Sequence, residues 1–154
     1  MKRWFNTLAF FAAAGAPWVN ANPIEQCLNT AHEYFIAVDV QAPQRIAATF
    51  TEDGTLTLSG NKMVGRKAIA DYFAQPSNGR QLQHHLTTWQ IKEGTGHKAT
   101  GTIYLLLTIS TPGKDDQPPS VTLLSGVYTD EYSLQDGSCL IQSRSLQVNS
   151  VMPQ

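Results

Sequence analysis

Between residues 81 and 149 the chain runs through four β-patterned segments, 81–92, 98–111, 121–134 and 139–149. Turn chemistry separates them: Glu93-Gly94-Thr95-Gly96, then the stretch 112–120, then Gln135-Asp136-Gly137. Connections this short reverse a chain but cannot carry a parallel crossover, so consecutive segments must pair antiparallel. The helical patterns all lie earlier, at 23–41, at 43–50 behind Pro43, and at 66–75 behind Gly65. Between them, 51–54 reads as a turn and 55–59 alternates like a strand. Helices segregated ahead of an antiparallel sheet predict an α+β fold with the helices on one face.

A length of 154 residues suits one domain, and 42% hydrophobic residues supply its core. A formal net charge of -1 lacks the basic excess that phosphate neutralisation requires, which argues against a nucleic-acid binder. Lys2 and Arg3 precede an uncharged, mostly apolar stretch at 4–19, and Val19-Asn20-Ala21 places small or apolar residues at the -3 and -1 positions. That is the pattern of a secretory signal peptide, 1–21, with a single domain at 22–154 that is secreted or periplasmic. Beyond it no apolar run is long enough to span a membrane. Outside the cytoplasm nucleotide cofactors are scarce, so cofactor-free chemistry or binding is expected. Cys27 and Cys139 allow one disulfide connectivity, or act as two buried thiols.

Asp39 is the informative polar residue. On a helical wheel it lies about 20° from Leu28 and about 40° from Phe35, inside the apolar arc. An acid there either faces a cavity and a partner, or sits at a frayed helix end and bonds the turn before Pro43. His32 shares the arc, as a boundary residue or a site residue. In His84-His85, strand alternation sends one ring inward; Leu82 and Leu86 share the parity of His84, while Trp89 and Ile91 have the opposite one, which calls for a bulge. His84 is then either a structural histidine or part of a site. His97 reads as a turn residue, and Arg144 as an ion-pair partner for Asp130 or Glu131 rather than a substrate clamp. The chain has no phosphate-binding glycine loop, nucleophile elbow or His-Glu-x-x-His helix.

Several segments together resemble the SnoaL-like branch of the nuclear-transport-factor-2-like superfamily. They are Tyr34-Phe35-Ile36-Ala37-Val38-Asp39, Phe50-Thr51-Glu52-Asp53-Gly54, Gly65-Arg66-Lys67-Ala68-Ile69, His84-His85 and Gly126-Val127-Tyr128-Thr129-Asp130, with the strand ending at Arg144. The resemblance implies a cone-shaped α+β barrel, a curved, mainly antiparallel sheet around the first helix, enclosing an apolar pocket. The local pattern is most similar to the cofactor-independent dehydratases of bile-acid 7α-dehydratase and scytalone dehydratase type. They carry a Tyr and an Asp five residues later on the first helix, and a His on the strand after the third. The carry-over makes Tyr34, Asp39 and His84 the catalytic candidates, with Asp39 and His84 within hydrogen-bond reach at the floor of the pocket. It departs from the pattern at Cys139, where the family often has Trp. The implied function is dehydration or isomerisation of a small hydrophobic, steroid- or polyketide-like molecule by Asp–His acid–base chemistry, without metal or organic cofactor. The alternative is a non-catalytic hydrophobic-ligand-binding or protein-interaction module using the same pocket. The late strands are rich in Val, Leu and Tyr (Tyr104, Leu106, Leu123, Tyr128); one of their faces lines the pocket, so the other must be solvated or paired, which predicts a homodimer through that outer face.

Overall fold

Asn22 accepts the Ile24 amide at 2.9 Å and Pro23 follows at the first helical position, so the first helix starts where its orphan donors are met. This is α1 (Pro23–Asp39); α2 (Pro43–Ala48) and α3 (Arg66–Phe73) complete the helices. The strands are β1 (Phe50–Leu58), β2 (Asn61–Val64), β3 (Gln81–Glu93), β4 (Lys98–Thr111), β5 (Ser120–Gln135) and β6 (Ser138–Pro153). The computed structural model describes residues 22–114, 116–135 and 137–153, and the expected signal peptide lies outside the described residues.

All six strands form one sheet in the order β2-β1-β6-β5-β4-β3, with free edges at β2 and β3. The sheet is therefore open rather than a closed barrel. It is mixed: β3, β4, β5 and β6 run antiparallel in sequence order, while β1 lies parallel to β6. α1 packs on both β6 and β3, two strands that are not neighbours, so the sheet must wrap around it. Tyr34, Phe35 and Val38 of α1 are buried with Ile103, Leu105, Tyr128 and Ile141 of the sheet.

Two local readings are corrected. Residues 51–54 do not form a turn but an irregular part of β1, whose pairing with β6 shifts register between Phe50 and Thr55. A Cβ at Gly54 would stand 2.9 Å from the Ile141 carbonyl oxygen, so glycine is there to let two backbones meet; turn and bulge share this composition. β2 was not anticipated. Ser59 and Gly60, both at positive φ (49° and 82°), turn β1 back into it.

Cys27 and Cys139 form a disulfide that ties α1 to β6 across 112 residues of sequence. Closing so long a loop removes denatured-state entropy and contributes on the order of 2–5 kcal/mol. Strand alternation separates the late strands' apolar residues. Tyr128 is buried on the concave face, whereas Tyr104 is 47% exposed on the other, where Leu106 and Leu123 also lie.

Candidate active site

Asp39 is the last residue of α1, where the helix dipole disfavours an acid and no basic side chain occupies the last turn. The carboxylate is held instead by β3. Oδ1 lies 2.6 Å from Nδ1 of His84, and Oδ2 accepts the His84 main-chain N–H at 3.0 Å. β3 is an edge strand, so that amide needs a partner from outside the sheet, and Asp39 supplies it. The double contact fixes the imidazole. A carboxylate can only accept, so Nδ1 carries the proton and Nε2 of the neutral ring carries the lone pair. Among the described residues Nε2 has no protein partner.

His84 has only 3% of its side chain exposed and lines a cavity of about 470 Å³. Leu82, Leu107, Ile109, Leu124 and Leu146 form its apolar walls, and Tyr34 and Tyr128 join His84 in its buried part. Asp39 does not line it; its side chain stands behind His84 and is 26% exposed. The expectation that both acid and imidazole form the pocket floor is corrected accordingly: Val38 and Gln41 on either side of it line the cavity, while the Asp39 carboxylate turns to the main chain and Nδ1 of His84. His84 enters because β3 keeps the parity of Leu82 and Leu86, and the register shift between Leu86 and Thr88 then reverses it for Trp89 and Ile91. His85 is exposed on the opposite face.

Burial lowers the His84 pKa below its ordinary 6.5, against the opposing pull of the Asp39 hydrogen bond and charge; Arg144 and His85 push the same way as burial. The ring is thus neutral at physiological pH. Burial raises the Tyr34 pKa well above 10, helped by Tyr128, and pushes Tyr128 up to about 12. Both remain phenols, able to donate to an oxygen that gains charge.

Sequence reasoning did not place Tyr128 in the pocket, nor the Arg144 guanidinium over its aromatic rings. Arg144 is bidentate to Asp130, with Nε to Oδ1 at 2.8 Å and Nη2 to Oδ2 at 2.6 Å, and both side chains are fully buried. Tyr132 donates to Asp130 at 2.6 Å. The guanidinium carbon lies 4.3 Å from the Tyr34 ring centroid, 4.9 Å from Phe35 and 5.0 Å from Tyr128. Nη1 has no hydrogen-bond partner among the described residues, so these ring faces are what it meets. Arg144 is therefore the ion-pair partner of Asp130, as its position in β6 predicts, and it also braces the tyrosines of the pocket. His32 stacks edge-on against Trp89 at 6.2 Å, and His97 takes a positive φ in an exposed turn; neither reaches the pocket. No group of three His, Cys, Asp or Glu that could hold a metal occurs among the described residues.

The profile of the SnoaL-like domain family matches residues 20–145. No curated protein matches the chain significantly. Among solved structures, a type-2 hexachlorocyclohexane dehydrochlorinase (LinA) superposes with a TM-score of 0.74 at 19% identity, covering 84% of this chain and 87% of that one. The type-3 LinA of Novosphingobium barchaimii gives 0.72 at 18%, covering 84% and 88%. A Novosphingobium aromaticivorans protein with a provisional scytalone dehydratase name gives 0.71 at 20%, covering 83% and 85%. At these identities the likeness is one of fold.

Proposed function

The chain belongs to the SnoaL-like domain family, and we propose that it is a cofactor-independent dehydratase or isomerase acting on a small hydrophobic carbonyl compound, with His84 as its base. The observation that carries this is the Asp39 carboxylate gripping both Nδ1 and the main-chain N–H of His84 while the imidazole borders an apolar cavity. Asp39 fixes the tautomer and balances the imidazolium as it forms, a positioning role. Nε2 removes a proton from the carbon beside the carbonyl. Tyr34 or Tyr128 donates to the oxygen that takes up the charge. In dehydration the C–H electron pair becomes the new C=C bond, and the hydroxide leaving the next carbon takes the proton from Nε2 and departs as water. In isomerisation the proton returns to a different carbon. The structural neighbours named as a dehydrochlorinase and a dehydratase support an elimination.

Proton abstraction can be read without the natural substrate. Incubated in heavy water with a panel of ketones and β-hydroxy ketones, the protein should exchange the proton beside the carbonyl of at least one, followed by NMR, and Asp39→Asn should suppress that exchange. A chain that binds these compounds yet exchanges none of their protons would be a binding module instead.

Export and pairing complete the proposal. The Lys2-Arg3 and Val19-Asn20-Ala21 pattern and the Cys27–Cys139 bridge support a secreted or periplasmic protein. Exposed Tyr104, with Leu106 and Leu123 beside it, supports a homodimer through the outer sheet face. The protein recovered after export should begin at Asn22 by mass spectrometry and scatter light as two chains; a uniform monomer at micromolar concentration counts against the dimer.

A further inference from the structure

We propose that the pocket takes an amphipathic anion, its apolar body against Leu82, Leu107 and Tyr128 and its carboxylate, or a similar single anionic group, held at the mouth by Arg80. This rests on the cavity's being the substrate site, as read above.

The buried part of the cavity is apolar, and its polar side chains other than His84 and the two buried tyrosines lie towards the mouth. Its exposed rim combines the polar Gln41, Ser59, Gln75 and Arg80 with Tyr72, Pro76 and Val148, and among the described residues no Asp or Glu contributes to the lining. Among the described residues Arg80 is thus the one permanently charged residue lining the space. Arg45, Arg66 and Arg144 pair with Glu33, Glu52 and Asp130, whereas Arg80 alone among the described arginines has no carboxylate partner.

Its placement is fixed rather than incidental. The Arg80 amide and Nε both donate to the Ser77 carbonyl, at 3.1 Å and 3.2 Å. The Arg80 carbonyl accepts from Nε2 of Gln41 at 3.0 Å. Gln41 itself holds a left-handed backbone, φ 53°, immediately beyond the end of α1. A non-glycine residue in that region carries strain, and its side chain here is spent on the rim. Behind Arg80, a Cβ at Gly79 would come within 3.0 Å of Pro112, so the segment 76–80 lies tight against the end of β4. With Nε occupied, the two Nη groups remain as a preorganised fork for an anion.

The spacing sets the ligand's length. Arg80 and His84 are four residues apart along nearly extended chain, about 13 Å at roughly 3.3 Å per residue. The reacting carbon and the anionic group of the ligand stand at that order of separation. The carboxylate stays at the wet rim, so it keeps much of its hydration while the body is desolvated.

The test uses the mature chain and phenylnaphthylamine, a neutral dye that brightens in apolar sites, displaced by decanoate or by decanol. These competitors share an alkyl chain and differ in head group. Wild type should bind decanoate about fivefold more tightly than decanol, the order expected of an exposed but fixed ion pair, and salt should erode that preference. Arg80→Gln should bind dye and decanol unchanged, which reports an intact pocket, and should lose the preference. A wild type with no preference, or a preference that survives in Arg80→Gln, overturns the proposal. Failure to take up dye or decanol overturns it together with the cavity's reading as a substrate site. Absence of proton exchange in a protein that still prefers decanoate removes only the catalytic reading.

Discussion

Replacing His84 with Gln should lower proton exchange and turnover by about 10²–10⁴, the usual weight of a positioned acid–base group. Glutamine is close in size to imidazole and keeps the cavity wall, but it has no lone pair basic enough to take a proton from carbon. Asp39→Asn should cost about 10²–10³ by a different route. The amide oxygen can still accept one hydrogen bond, but the amide nitrogen can only donate, so the pair of acceptor contacts to Nδ1 and to the His84 main chain is lost. Dye binding should be nearly unchanged in both, which separates lost chemistry from lost pocket. His85→Gln, on the exposed face, should change turnover less than about twofold. The pH profile follows from burial. With a His84 pKa below 6.5, kcat/KM should be flat through neutrality and fall only on the acid side. Stability has the same sign. The folded state prefers the neutral ring, so this contribution is full above about pH 6.5 and is lost as pH falls towards the lower folded pKa. A profile whose acid limb is the same in Asp39→Asn as in wild type would remove Asp39 from its positioning role.

The second large effect is on folding. Arg144 and Asp130 are both fully buried, and burial opposes the charge on Arg144; Asp130 nevertheless holds the guanidinium pKa above its ordinary value. Removing one partner leaves the other charged with neither water nor counterion. Asp130→Asn should therefore destabilise the protein by about 3–5 kcal/mol, a large part of the roughly 5–15 kcal/mol that a domain possesses. Arg144→Met should cost a similar amount. It strands Asp130 and withdraws the cation from the faces of Tyr34, Phe35 and Tyr128. Changing both, Asp130→Asn with Arg144→Met, should cost clearly less than the sum of the two single changes, because no isolated charge remains. Urea denaturation followed by tryptophan fluorescence gives all three values. Strictly additive losses would show that the pair is not coupled.

The sequence carried the elements whose signal is local. Periodicity marked α1 and the four long strands, and short polar turns required those strands to be antiparallel neighbours. The placement of Asp39 within an apolar helical arc, and of His84 on the parity of Leu82 and Leu86, marked two residues that the fold does bring together at 2.6 Å. Both signals are violations of a pattern: an acid among apolar residues, and a titratable ring turned towards a core.

Tertiary structure decided what depends on register and on non-neighbouring strands. The parallel pairing of β1 with β6 joins segments some ninety residues apart, and no local periodicity encodes which edge a strand will join. The Asp130↔Arg144 pairing needs the β5–β6 register, and two shifts in that ladder alter which residues face inward. The placement of Tyr128 among the aromatic rings, and of Arg144 over three of them, follows only once that register is set. Asp39's place behind His84 rather than in the cavity was likewise beyond the helical wheel, because the wheel does not record the partner on β3, 45 residues away, to which its carboxylate turns. Local chemistry thus chose the helices, the four long strands and the Asp39–His84 pair; long-range packing chose which of those side chains meet the cavity.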